Sequence, residues 1–418
     1  MDLQITAFPA RNGESLLIEC YGKEKTNILV DMGFSETYNK FIKPKLKSIG
    51  EKGEKIDLLV LTHYDSDHVE GAVEFFKDII NEEFIDIQEI WINDFYALSS
   101  DVLDIKDLDE ENENIYKFAR FMSKIYGRDN SKINKVEVSK DDVMNITKLI
   151  EELGYNFKIN KSFEYRLVFN DEDKYSVVNI NDEVNIKIIG PTKANVEKLS
   201  KEFFYWIKKN YRNYLDIKKE ELFEIFVANI SKEEDKNTNN LIRKVEVNSS
   251  DDDDVIKEIL SQNNKYRDTS LANRNSIAFT LEFNGYKLIL AGDTDHKTLI
   301  KNIPQNENYS LLKVPHHGSR NNINRELLKK INCKNYLICT DGSGRSRHPD
   351  LETLLYISEI ENSNIYINYP INKLAIPSKR LKKLKENNII NLYENTLKNQ
   401  PFIIKFKEGE IVCTKNNH

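Results

Sequence analysis

A mixed α/β fold, built on one core and interrupted by helical insertions, is what the sequence predicts. Three observations lead there. Apolar runs of strand length recur, each closed by a turn signal. Amphipathic stretches of helical period lie between them. Five of the seven histidines fall just after a strand-like run or in a Gly/Ser-rich turn.

The elements follow in order. Leu16 to Ile18 and Ile28 to Val30 read as strands, with Asn12-Gly13 as the turn before the first and Asp31-Met32-Gly33 closing the second. Phe34 to Ile49 reads as helix, with Pro44 starting or kinking a segment. Ile56 to Leu61 is apolar except for Asp57, as expected of a strand buried on both faces. Val69 to Ile80 reads as helix and Glu89 to Ile92 as a short strand. Residues 97–183 and 194–270 read as mainly helical insertions, with helical stretches at Ile115 to Tyr126, Asp141 to Leu153 and Asn195 to Ile230. Between them Val184 to Ile188 alternates with period two and stops at Gly190-Pro191. Ser249 to Asp254, SSDDDD, reads as solvated loop. Ser276 to Phe283 and Tyr286 to Leu290 form a hairpin around Asn284-Gly285. Leu311 to Val314 and Tyr336 to Cys339 are further strands, and Leu351 to Ile360 is a helix with Pro349 in its first turn. The whole, 1–418, reads as a single domain.

Composition narrows the function. The chain has 418 residues, 39% hydrophobic and 31% charged, which is globular rather than disordered. A net charge of -7 offers no global basic field for coating nucleic acid. No run approaches the roughly 20 apolar residues of a membrane span. Cys20, Cys333, Cys339 and Cys413 form no regular framework and read as reduced core thiols. The expectation is a cytoplasmic protein with no membrane partner.

The chemistry concentrates in Thr62-His63-Tyr64-Asp65-Ser66-Asp67-His68. Four N and O donors leave a buried strand within six residues, as a metal site requires. An exposed loop with Asp67 capping the next helix explains one aspartate, but not two histidines and a second aspartate. Leu288 to Thr294 delivers Asp293 from a strand through Gly292; such an aspartate could bridge two cations, though taken alone Gly-Asp after a strand reads better as a common turn. In Leu311 to Ser319, His316 and His317 could bind metal or act on substrate, Gly318 lets backbone approach a ligand, and Ser319 could hold a substrate oxygen. Asn275 and Ser276 read as supports. His348 precedes Pro349-Asp350 at a helix start. Arg320, Arg345 and Arg347 could form a basic rim, whereas the run Lys379, Arg380, Lys382, Lys383, Lys385 reads better as a solvated helix face. Phe203-Phe204-Tyr205-Trp206 reads as core rather than as an interface anchor.

His63-x-Asp65-x-Asp67-His68 resembles the H-x-[HD]-x-D-H signature of the metallo-β-lactamase superfamily. With Asn275-Ser276, Gly292-Asp293, His316-His317-Gly318-Ser319 and His348-Pro349 following in order, the set looks like the nuclease-type domain of ComEC-like DNA-uptake proteins. The resemblance covers roughly 1–96, 184–193 and 271–418. It implies a four-layer αββα sandwich with two divalent metal ions, zinc or manganese, at one edge. Carried over by position, His63 and Asp65 hold one ion, Asp67 and His68 the other, Asp293 bridges, and His348 matches the final ligand; His316 or His317 completes the site. Asp65 stands where many members have His, which brings manganese level with zinc. Asp94 stands where a further His ligand is usual. The expected activity is phosphodiester or nucleic-acid hydrolysis by a metal-activated water, with Asp67, His317 and Ser319 acting on the reaction. The alternatives are a small-molecule hydrolase (lactone, thioester or phosphate ester) and a component activated by a protein partner docked on the insertions.

Overall fold

The computed structural model describes residues 2–99, 103, 146–171, 177–210, 223, 226, 227, 230, 252–261, 266–305, 307–344, 347–397 and 399–413. The stretch Ile115 to Tyr126 and Arg345 lie outside the described residues.

The chain opens with β1 (Leu3–Ala7), β2 (Leu16–Tyr21) and β3 (Lys25–Val30), followed by β4 (Leu58–Val60) and β5 (Ile90–Trp91). The second half of the fold begins with β6 (Val177–Asn179), β7 (Val184–Gly190), β8 (Ala278–Phe283) and β9 (Tyr286–Leu290). It continues through β10 (Asn308–Tyr309), β11 (Leu311–Lys313), β12 (Asn332–Cys333), β13 (Asn335–Ile338), β14 (Asn364–Ile367) and β15 (Leu392–Glu394). Finally β16 (Phe402–Lys407) and β17 (Glu410–Cys413) return to the first sheet. One sheet has the order β17-β16-β1-β2-β3-β4-β5 and the other β15-β14-β13-β11-β9-β8-β7-β6.

Side-chain alternation along these strands creates four layers, since successive residues face opposite sides. Leu16, Ile18, Ile28, Val30, Leu58 and Val60 join Phe279, Leu281, Leu288, Leu290, Leu311 and Leu337 in a central core between the sheets. The intervening residues Leu17, Leu29 and Leu59 face outward onto Leu46, Val69, Phe75 and Phe76 of the first helical layer. On the other side Ile289, Leu312 and Tyr336 face Leu299, Leu327 and Leu354 of the second. This is the αββα sandwich. Trp91 ties the layers together: its fully buried indole packs edge-on against Phe163 and Phe279, at 5.2 and 6.1 Å between ring centres.

The predicted strands form, mostly within two residues of their expected ends. Asn284 and Gly285 both adopt positive φ, 48° and 77°, the geometry a tight hairpin needs. Helices Lys43–Gly50, with Pro44 in its first turn, and Ser66–Asn81 match the reading. Asp65, not Asp67, occupies the N-cap of the latter. The insertions supply helices Ile146–Glu152 and Lys193–Asn210. Phe203 and Phe204 are buried, with Phe203 ringed by Phe95, Phe223 and Phe226, so these two belong to the core, while Tyr205 is exposed.

Two local expectations fail. Residues 252–254 are not loop but the first turn of helix Asp252–Ser261, where aspartates are favourable against the positive end of the helix dipole. Helix Leu351–Ser358 starts after an N-cap at Asp350, so Pro349 precedes it instead of sitting in its first turn.

All four cysteines are free and buried. Among the described residues no helix is long and apolar enough to cross a membrane.

Candidate metal centre

The site forms where parallel strands end together. β3, β4 and β5 run parallel in one sheet, and β9, β11, β13, β14 and β15 in the other. The polar residues that follow their carboxyl ends therefore meet at one edge of the sandwich. Asp31 follows β3, His63 follows β4, Asp293 follows β9, and His316 and His317 follow β11. The two sheets are stitched there by the Ile277 N–H, which donates to the Thr62 carbonyl at 2.9 Å.

Asp293 is the hub. Its Oδ2 lies 3.9 Å from His63 Nε2, 3.5 Å from His68 Nε2 and 3.8 Å from both His316 Nε2 and His317 Nε2. His63 Nε2 is also 3.5 Å from Asp65 Oδ2, and His317 Nε2 is 3.3 Å from Asp67 Oδ2. His348 stacks edge-on against His316, ring centres 5.1 Å apart, with its Nδ1 3.3 Å from Asp350 Oδ2.

Each inner imidazole is held by its other nitrogen. His68 Nδ1 donates to Asp31 Oδ2 at 2.8 Å. His317 Nδ1 donates to the Cys339 carbonyl at 3.0 Å. His316 Nδ1 lies 3.1 Å from Asp268 Oδ2, a carboxylate that also accepts from Asn273 and Asn322. His63 Nδ1 sits between the hydroxyls of Thr62 and Ser276, at 3.0 and 3.2 Å; Thr62 gives its own hydrogen to Asp31 and so can accept. This arrangement leaves the Nε2 lone pairs pointing inward, the usual outer support of a metal-binding histidine.

Those inward atoms test whether cations fit. Nε2 of His63, His68 and His317 and Oδ1 of Asp293 are buried without a hydrogen-bond partner. Leaving buried polar atoms unpaired costs about 1–3 kcal/mol each, and a cation removes that cost. Among the described residues two donor groups have the compactness required: His63, His68 and Asp293, and Asp67, His68 and His317. The mixture of imidazole nitrogen and carboxylate oxygen suits zinc or manganese.

The charges agree. Burial would raise the carboxyl of Asp293, but the imidazoles of His68, His316 and His317 hold it well below the ordinary range. Asp67 is likewise brought to about 2 by His68 and His317, against its burial. Burial opposes a charged His316, yet Asp293 and Asp268 push it up to about 10. His68 is raised well above normal by Asp293 and Asp31 despite complete burial. For His317 burial wins and its pKa is lowered.

Backbone shape is specialised here. His316, His317 and Gly318 have φ of 47°, 53° and 90° in succession. Left-handed histidines cost on the order of 1–3 kcal/mol each and persist only where the surroundings enforce them. Gly13 has no room for a side chain: a Cβ would fall 2.2 Å from the Asp67 carbonyl oxygen.

The structure redistributes several expected roles. Asp67 groups with His68 and His317, and His63 Nε2 lies 3.5 Å from Asp65 Oδ2, while His63 also groups with His68 and Asp293. His317, expected to act on substrate, lies in one compact group with Asp67 and His68. Ser319 is fully buried and its Oγ accepts from the Asn321 N–H at 3.2 Å, which closes a turn. Gly318 leaves room for Pro349, whose Cβ lies 2.7 Å from where a Gly318 side chain would start. Asp94 Oδ1 accepts from the Ala97 N–H. Arg320 is buried and bonded to Glu352, so it is no open rim. Lys379 to Lys385 lie on helix Ser378–Glu386, anchored through Leu381 and Leu384, as a solvated face. His296 turns to the Asn321 carbonyl. Sequence reasoning missed Asp31 and Asp268. Asp31-Met32-Gly33 offered a signal, a carboxylate at a strand end; Asp268 offered none.

Fold and site define a class: a metallo-β-lactamase-fold protein carrying a candidate metal centre. Residues 9–87, which include Asp31 and the His63–His68 loop, match the model of the metallo-beta-lactamase superfamily. The chain is also similar to a solved structure from Parabacteroides distasonis described as a metal-dependent hydrolase. Identity is 9%, each chain is covered to 94%, and the TM-score is 0.32, too loose a likeness to argue from. No curated protein matches the sequence.

Proposed function

We propose that this protein is a metal-dependent hydrolase that cleaves phosphodiester bonds, with nucleic acid as the substrate class. The observation that carries it is the Asp293 carboxylate, set within 3.9 Å of four inward imidazole nitrogens that are fixed from behind. His63, Asp65 and His316 would hold one divalent cation and Asp67, His68 and His317 a second, with Asp293 near both. Such a pair, when bound, acidifies a water and neutralises charge on a phosphoryl oxygen.

The protein's own contribution is position and charge. Asp31, Asp268 and the Cys339 carbonyl keep three rings in the tautomer that presents a lone pair inward. Asp67 and Asp293 stay ionised, so the pocket is set for positive charge. His348, beside His316, closes the outer side of the cluster. The phosphodiester preference is supported by the likeness of the His316-His317-Gly318 turn to nuclease-type members of the superfamily.

The test is metal analysis together with hydrolysis of bis(p-nitrophenyl) phosphate and single-stranded DNA with added manganese or zinc. Wild type should turn over and Asp67→Ala should not. Absence of turnover with every divalent ion and pH tried refutes the reading.

A further inference from the structure

The segment 267–275 has two faces. Asp268 and Asn273 point toward His316, at 3.1 and 3.3 Å from its Nδ1. Arg267 and Arg274 point the other way. Their guanidinium groups reach the fully buried Asp295, at 3.1 and 3.5 Å, and both line a cleft of about 580 Å³. Arg274 also donates from Nη2 to Asn195 Oδ1 at 2.7 Å, while its buried Nε makes no hydrogen bond. Lys193, Lys297 and Lys301 line the same cleft. Five cations therefore line the cleft beside two carboxylates, Asp171 and Glu197, with Asp295 behind both arginines and Lys193 at 3.9 Å from Glu197.

The backbone adds to this surplus of positive charge. Helix Lys193–Asn210 begins at the cleft, with Thr192, Lys193, Ala194 and Asn195 in its wall, so the positive end of an 18-residue helix opens there. The floor is made of forked guanidinium donors that the Asp295 pairing orients, and Asn195 and Thr298 supply neutral polar groups. The volume lies in the range of small-molecule sites. None of these cationic groups belongs to the candidate metal centre.

We propose that this cleft binds a small phosphate-bearing anion, either free or carried on a nucleoside. The arginines and the helix start hold the phosphate, and the lysines at the mouth attract it. A concave, half-enclosed set of charges favours a compact ligand over a polymer, which needs a groove that continues past the contact.

The experiment is calorimetric titration of the full-length protein with pyrophosphate and, separately, AMP. It is run on wild type, on Lys193→Glu/Lys297→Glu and on Asp67→Ala. Lys193 and Lys297 are exposed, so the double variant should keep its melting temperature. The expected result is one site per chain, weakened at least tenfold in the lysine variant and unchanged in Asp67→Ala. Binding of pyrophosphate as tight as that of AMP shows that phosphate alone is recognised; a clear preference for AMP assigns the nucleoside form. Three outcomes overturn the proposal. They are no binding of either probe, binding lost in Asp67→Ala but kept in the lysine variant, and lysine-dependent binding confined to a DNA oligonucleotide.

Discussion

Replacing Asp31 with asparagine should disarm the candidate metal centre while leaving the fold nearly intact. The carboxylate is fully buried. Oδ1 accepts from the Thr62 N–H at 2.8 Å, and Oδ2 accepts from Thr62 Oγ1 and from His68 Nδ1, each at 2.8 Å. Asparagine has the same shape and can keep the bond to the Thr62 N–H. Its amide then turns two hydrogens toward positions that had met only oxygen lone pairs. Thr62 can respond by rotating its hydroxyl. His68 can respond only by accepting at Nδ1, which moves its hydrogen to Nε2 and removes the lone pair facing Asp293. Loss of an outer partner of this kind costs about 10–100-fold in metal affinity or activity, or about 1.4–2.7 kcal/mol. The assay is metal content after dialysis against graded chelator, paired with nitrogen-15 spectra that report the His68 tautomer. With metal bound, wild type should carry the His68 hydrogen on Nδ1 alone and Asp31→Asn on Nε2, with weaker metal retention. A variant that holds metal as tightly as wild type, or whose His68 keeps its hydrogen on Nδ1, refutes the reasoning.

Other perturbations have equally direct readouts. Gly13→Ala should lower the melting temperature and reduce hydrolysis, because the new Cβ would displace the Asp67 carbonyl; overpacking of this sort costs about 1–3 kcal/mol, and an unchanged thermal melt would contradict the contact. Removing divalent ions should destabilise the protein by about 2.7 kcal/mol relative to ions at a hundred times their Kd, and Asp293→Asn should erase that difference in calorimetry. Glu19 is buried, and although burial raises its carboxyl, Lys25 and Lys45 bring it below its ordinary value of 4.5. Its folded form is thus the weaker proton binder, so its stabilisation is complete above pH 4.5 and fades as pH falls through the depressed value. Glu19→Gln should therefore show a shallower loss of stability on acidification than wild type in urea titrations, and parallel curves would exclude the pairing as its source.

Much of this site was legible because its donors are local. His63 to His68 leave one strand within a single turn, and burial of the preceding strand shows in its apolar run. Asp293, His316 and His317 were legible for the same reason, each following an apolar strand. What was not legible depends on distance in sequence. Asp268 lies 48 residues before His316 in a loop with no periodic pattern, and nothing near it announces that its Oδ2 will meet an imidazole. The helix at Asp252–Ser261 was hidden by its own charge, since a run of aspartates looks solvated whether or not it starts a helix. Nor was the turn at Ser319 legible, where its Oγ accepts from the Asn321 N–H.

The supports of the four imidazoles come from both sheets, and this makes the geometry of the candidate centre a property of the whole sandwich. Asp31 extends from β3 and Thr62 from β4, whereas Ser276 precedes β8 and the Cys339 carbonyl follows β13. Between them run the Thr62 carbonyl, which accepts from Ile277, the Ser276 hydroxyl, which accepts from the Asp293 N–H, and the Gly292 carbonyl, which accepts from the His316 N–H. Behind them Lys313 and Glu14, both fully buried, meet across the sheets in an ion pair, and the Glu14 N–H donates to the Asp67 carbonyl. Breaking a buried pair by removing one partner costs about 3–5 kcal/mol. Lys313→Met should therefore do more than destabilise. It frees the Glu14 hairpin that carries the Asp67 backbone, so metal retention should fall along with the melting temperature. Lys313→Met with Glu14→Leu removes both charges and should recover stability. It should not restore metal retention fully unless the hairpin repacks in its original position. Equal recovery of both quantities would show that the pair serves stability alone.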